Sequence, residues 1–274
     1  MSDFIIPNLQ KEKIEEFLAE NKRLDGRTSD EYRKLMVEEG ISPSASSAVR
    51  VKFGNTEVLA GVHLDVTAPY PDSLDEGTFM TSVELHPMAS QQFDIGKPGI
   101  DAVELARVID RGIRESGFID FKKLCIEEGK KVWQVFVDII AINDDGNLLD
   151  VAGLAALIAL GKARMPVYNT EENKIEHEFS EDPIPLDPEA LSFSMTFHKI
   201  GGKIIVDVSK EEEAISDFRL TIAVGDNDGE PRITAMQKGK SGVITSEDME
   251  TILKLVESKW TEMFPKVKDF VFNK

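Results

Sequence analysis

Apolar positions recur at helical spacing first in "QKEKIEEFLAENK" (10–22), where Ile14, Phe17 and Leu18 share one face, and "LDGR" (24–27) then supplies a turn. This spacing predicts a short N-terminal helix followed by a loop. The period drops to two in "SSAVRVKFGNTEVLAGVHLDV" (46–66): Val49, Val51 and Phe53 alternate with polar residues, Gly54-Asn55 makes a turn, and Val58 opens a second apolar run. That is a β-hairpin. "FMTSVELHP" (79–87) reads as a strand. "DAVELARVIDRGIRES" (101–116) reads as a helix with Leu105, Val108, Ile109, Gly112 and Ile113 on its apolar face. Strand-like "KLCIEE" (123–128) and "VWQVFVDIIAI" (132–142) lead through "NDDGN" into "LLDVAGLAALIALGKARMP" (148–166), a helix apolar nearly all round and therefore deeply buried, with Pro166 expected to end it.

A polar stretch, "SEDPIPLDPEA" (180–190), carries Pro183, Pro185 and Pro188, which disfavour regular structure, and marks a boundary. Beyond it, "LSFSMTFHKIGGKIIVDV" (191–208) reads as two strands about Gly201-Gly202, and "FRLTIAVG" (218–225) and "PRITAMQKG" (231–239) as two more. "SEDMETILKLVESKWTEMF" (246–264) is a long amphipathic helix that Thr245 can cap, with Asp248 in its first turn. The pattern gives an N-terminal helix and extension over 1–26, a first α+β unit over 27–180 and a second over 181–274. The two units share a plan but no fixed-period repeat.

Composition adds limits. The 274 residues, 41% apolar, suffice for a substantial core. Cys125 has no second thiol to pair with and is expected to be buried and inert. His63, His86, His177 and His198 lack ligand spacing, so each reads as a surface or satisfied interior histidine and no metal site is expected. The start of the chain has no basic stretch followed by a long apolar run, and "AGLAALIALG" is too short to span a bilayer, which predicts a cytoplasmic chain without membrane association. A net charge of −18 repels polyanions at long range, so any RNA role requires local basic groups or a partner.

Three constellations bear on chemistry. Arg107, Arg111 and Arg114 follow spacings of 4 and 3 and share a helical face with Asp110 beside it, either as a surface salt-bridged with Glu104 and Glu115 or as a grip on RNA phosphates. The acids Glu211, Glu212, Glu213 and Asp217 crowd a loop between two apolar runs and invite a metal-binding reading. "GKSGV" (239–243) lacks the spacer of a phosphate-binding loop, and Trp133 and Trp260 lie in apolar patterns that predict packing. Arg27 and Arg50 fit an interface role or a structural one.

"LDGR", "FGNTEVLAGV", "ELARVIDRGIR", "NDDGNLLDVAGLAAL" and "DMETILKLVE" occur in the order found in the RNase PH family, so that the chain resembles this family over nearly its whole length. Within it, the helix before "LDGR" and "GISPSASSAVRVKFGNTEVLAGV" are similar to the non-catalytic RNase PH-type subunit of the archaeal exosome. The resemblance implies an α+β RNase PH fold, with mixed β-sheets packed against helices. It also implies a subunit without catalytic residues that alternates with a catalytic RNase PH-type subunit in a ring of six. That ring degrades RNA from its 3′ end with phosphate, passes RNA through its channel and carries RNA-binding cap subunits. Active family members open the buried helix with glycine, Thr or Ser, then Arg, to receive phosphate. Here the stretch is "GNLLD", where Leu148 and Leu149 supply neither hydroxyl nor guanidinium and Asp150 is expected to repel the anion. Active relatives also place an acid in the loop and an aspartate six positions later; here these are Glu213 and Arg219, and a guanidinium there is expected to pair with the acidic loop instead of joining a magnesium ligand set. The resemblance thus implies no cofactor in this chain, with magnesium and inorganic phosphate bound by the partner. An autonomous phosphate-dependent exoribonuclease or nucleotidyltransferase, and an RNA-independent assembly scaffold, are the alternative readings.

Overall fold

Alternation of buried and half-buried residues builds the first hairpin, strands β2 (Ser47–Phe53) and β3 (Thr56–Thr67), which pair antiparallel with Val51 opposite Val58. A computed structural model describes residues 6–169, 172 and 174–273, the His177 side chain excepted. Helix α1 (Asn8–Ala19) and β1 (Leu35–Glu39) precede the hairpin; β4 (Thr78–Leu85), α2 (Ile100–Ser116), β5 (Cys125–Glu127), β6 (Lys131–Asn143) and α3 (Leu148–Lys162) follow it. The first sheet runs β1-β2-β3-β6-β4, with β5 on the start of β6, and is mixed because β4 alone runs parallel to β6. After β7 (Arg164–Asn169) and β8 (Lys174–Pro183) come β9 (Ser192–Ile200), β10 (Lys203–Val206), α4 (Lys210–Ile215), β11 (Phe218–Asn227), β12 (Glu230–Gly239) and α5 (Ser246–Phe272). The second sheet, β10-β9-β11-β12, is antiparallel throughout.

Helix α3 is apolar all round because it has structure on every side: β2, β3 and β6 of the first sheet, β9 of the second, and α2 and α5. A contiguous core therefore runs from Val51 and Val137 through Leu157 to Phe197, Ile222 and Trp260. Gly161 lets α3 and α5 close up, since a Cβ there would stand 2.3 Å from the Val271 carbonyl oxygen. The capping box at the start of α5 is complete: Thr245 accepts from the Asp248 N–H, and Asp248 accepts from that of Thr245.

Several expectations change. Helix α3 ends at Lys162, where Ala163 turns extended, and Pro166 lies inside β7, whose two-stranded hairpin with β8 tolerates a missing donor. Ser180–Pro183 complete β8 and Pro188–Ala190 form a single 3-10 turn, so the proline-bearing stretch is more regular than its composition predicts. In "KLCIEE" only Cys125–Glu127 pair, after a 3-10 turn over Phe121–Leu124, and Cys125 is half-buried. Phe17 faces outward beneath Lys13, because α1 docks on Ile200, Ile205 and Val208 through Ile14 and Leu18 alone.

Half-exposed His63 stacks on Phe136, and His86 pairs with Glu84. Buried His198 meets Ser216 through Nδ1, and burial holds it neutral. The His177 side chain lies outside the described residues. Trp133 and Trp260 pack in the core. Among the described residues no helix is long and apolar enough to cross a membrane.

Candidate functional site

The turn that delivers α3 is pinned from three directions. Gly146 has φ +83°, and a Cβ there would lie 2.5 Å from the Val208 carbonyl oxygen, so the turn is pressed against the segment entering α4. Thr56 Oγ1 donates to the Gly146 carbonyl at 2.7 Å, and Arg33 Nη1 to that of Asp145 at 2.9 Å. Asn147, with φ 57°, donates its amide to Asp207 Oδ1 at 2.9 Å.

The acidic stretch is a short helix rather than a loop. Ser209 and Glu212 form a capping box that starts α4, so the three glutamates follow a helical path and diverge. Glu212 is buried on Arg23 (Nε to Oε1, 2.9 Å) and Glu211 accepts from Ser209 Oγ. Glu213 turns toward α3, where its Oε2 accepts the Asn147 N–H at 3.3 Å. Burial, reinforced by Asp144, pushes the Glu213 carboxyl above its ordinary range.

A cleft of about 490 Å³ opens here, walled by Leu85, Phe93, Leu105, Leu148 and Leu149 and edged by Asp101, Glu104, Asp144, Lys210, Glu213, Arg219 and Lys240. Its cations are already engaged. Lys210 pairs with Asp144, and Lys240 donates to the Glu213 carbonyl and to Ser216 Oγ. Arg219 pairs with Glu104 of α2 at 2.5 Å, not with the acids of α4 as the sequence suggested, because its strand position aims it across Gly239 toward α2. Among the described residues no three His, Cys, Asp or Glu side chains converge to hold a metal ion. Glu213 accepts the Asn147 N–H, Asp144 pairs with Lys210 and Glu104 with Arg219.

The start of α3 has apolar and acidic neighbours. Leu148 and Leu149 are buried there, and the Glu213 carboxylate already sits on the Asn147 N–H. Asp150 has a different place from the one expected. It points away from the cleft into the sheet, where Thr196 donates both its hydroxyl (2.6 Å) and its N–H (3.1 Å) to it. Burial, only partly offset by these bonds, pushes its carboxyl up to about 7. The folded state therefore holds this proton more tightly than the unfolded chain, so stability from this group is full below about pH 4 and declines as pH rises toward 7. Asp150→Asn is expected to flatten the decline, and denaturant titrations of both proteins from pH 4 to 8 measure it; parallel curves would refute the assignment.

A second cleft, about 520 Å³, lies between α2 and strands β9, β11 and β12 and shares Glu104, Gly239 and Lys240 with the first. Arg107 and Arg111 line it, exposed and, among the described residues, without an ion pair. Arg114 does not stand with them. It donates to Asp110 (3.0 Å) and to the Phe79 carbonyl (2.9 Å) and lies over the rings of Phe79 and Phe121. Arg50 spans Glu38 and Glu57 on the first sheet. The residues that sequence reasoning missed are Arg23, Arg33 and Asp207. With Arg27 and Glu212 they make a buried charge cluster beside the start of α3, and the signal for it is three arginines within "RLDGRTSDEYR".

Residues 31–166 match domain 1 of the 3′ exoribonuclease family and residues 191–258 match domain 2. The chain is 41% identical over 259 residues to the exosome complex component Rrp42 of Methanosarcina acetivorans, covering 94% of this chain and 93% of that one. It is 37% identical over 269 residues to the protein of that name from Thermococcus onnurineus, covering 97% of each. A chain of the Archaeoglobus fulgidus exosome with RNA bound to the active site superposes with a TM-score of 0.83 at 37% identity, over 94% of this chain and 98% of that one. The chain belongs to the 3′ exoribonuclease family, the family of the RNase PH fold.

Proposed function

We propose that this chain is the non-catalytic RNase PH-type subunit of an archaeal exosome ring, where Arg107 and Arg111 hold RNA phosphates and the chain shapes the active site of a catalytic neighbour. The observation that carries the reading is the start of α3, where Leu148 and Leu149 are buried and the chain's own Glu213 accepts the Asn147 N–H, at the position that the family resemblance assigns to phosphate. Similarity to Rrp42 components and to exosome chains supports the assembly. In it the catalytic RNase PH-type subunit alternates with this one in a ring of six, supplies the magnesium and phosphate sites, and RNA-binding caps cover the channel. The net charge of −18 disfavours free-standing RNA binding and favours contact through a local basic face within the ring.

The purified chain with magnesium, inorganic phosphate and single-stranded RNA is expected to release no nucleoside diphosphates, and the same chain mixed with its catalytic partner is expected to support their release. Release by the chain alone would overturn the reading and favour an autonomous phosphorolytic enzyme. Cross-linking of RNA to peptides spanning 101–116 in the assembled ring separates RNA binding from a purely structural scaffold.

A further inference from the structure

Glu104 stands three residues before Arg107 on α2, the spacing at which a glutamate and an arginine on a helix meet. Left to itself, its carboxylate would neutralise Arg107 and thin the positive charge of the second cleft. The structure gives that carboxylate to another element. Arg219, its side chain 15% exposed, reaches from β11 to Glu104. Gly239, directly opposite on β12, leaves the space for its guanidinium: a Cβ there would stand 2.6 Å from Nη2. Glu104 thus stands at the wall common to the two clefts, paired with Arg219 on the side of the first, while Arg107 and Arg111 remain, among the described residues, without an ion partner.

We infer that Arg219 is a positioning residue for RNA, which holds Glu104 away from Arg107 and so keeps the guanidiniums of Arg107 and Arg111 available to phosphate. The inference rests on the proposal that these two arginines bind RNA. Arg219 binds no nucleotide itself; it acts on a carboxylate that would otherwise compete with one.

The test uses the assembled ring and a single-stranded oligoadenylate, with affinity measured across a series of salt concentrations. Arg219→Gln is expected to weaken binding about three- to tenfold and to make the salt dependence shallower by roughly 0.7, the contribution of one phosphate contact on a single strand. Glu104→Gln alone should cost nothing, and the double variant Arg219→Gln/Glu104→Gln should regain the affinity and slope of the parent. A residue that only supported the fold would not be rescued by removing Glu104. Arg219→Met, whose stem refills the space over Gly239, serves if Arg219→Gln does not assemble and is read by the same outcomes. If Arg107→Ala/Arg111→Ala leaves binding unchanged, the RNA reading of this face fails. If that pair weakens binding while Arg219→Gln does not, or the double variant is not rescued, the role assigned to Arg219 is overturned.

Discussion

Asp207→Ala is expected to cost the folded chain about 3 to 5 kcal/mol, the range seen when one partner of a buried ion cluster is removed. Asp207 is fully buried and accepts from Arg27 Nη1 at 2.9 Å, Arg33 Nη2 at 2.7 Å, the Arg33 N–H at 2.6 Å and the Asn147 amide at 2.9 Å. Without the carboxylate, Arg27 and Arg33, each 10% exposed, would keep only the more exposed Asp25 and Asp145, the latter at 3.6 Å. Total stabilities of about 5 to 15 kcal/mol leave little room for such a loss. Denaturant midpoints of the parent and the variant decide it: a loss below about 1 kcal/mol would show that the cluster is not a determinant of the fold.

The same group has a definite pH signature. Burial pushes the Asp207 carboxyl up, but the bonds and charge of Arg33, with the Asn147 amide, outweigh it and hold the group below the ordinary carboxylate range. Its stabilisation is therefore present above the unfolded value near 3.9 and lost as pH falls through the lower folded value. This acid-side loss is opposite in sign to the effect of Asp150.

The physical reach of the sequence explains what it revealed. Strands and helices with a strong period, such as 47–53, 56–67, 131–143 and 148–162, were legible because burial on one face or on all faces leaves a pattern in the residues themselves. Edge strand β1 was not, since its five residues bury no complete face, and neither was the β7–β8 hairpin, whose prolines point away from strand. Leu148 and Leu149 were placed correctly at the head of α3, because the end of "NDDGN" fixed where that helix begins. Asp150 and Arg219 were located in sequence but misdirected in space. Which way a first-turn side chain points is decided by what packs on the helix, here Thr196 of β9, and which acid an arginine takes is decided by a tertiary neighbour, here Glu104, more than a hundred positions away by chain. Ser209 precedes the acids and Glu212 is one of them, and their three-residue spacing was a readable signal that the stretch is helical.

Charge reversal of the α2 face should have the largest effect on RNA. Hydrogen bonds to charged groups contribute about 1.5 to 3 kcal/mol each. Both arginines are exposed, so solvent screening argues for the lower end, and replacing each by a glutamate adds repulsion from phosphate. Arg107→Glu/Arg111→Glu is therefore expected to lower the affinity of the assembled ring for single-stranded RNA by about a hundredfold or more, irrespective of base sequence, and to make the salt dependence shallower by roughly 1.4. Arg114→Ala is expected to behave otherwise. Its donors are committed to Asp110 and the Phe79 carbonyl and its plane to two aromatic rings, so its loss should lower the melting temperature of the chain while leaving the salt slope near that of the parent. Filter binding across salt and thermal melts of the two variants separate these outcomes. An unchanged slope in the double variant, with the ring intact, would mean that this face touches no RNA, whereas a slope change in Arg114→Ala equal to that of a single phosphate contact would return Arg114 to the binding face.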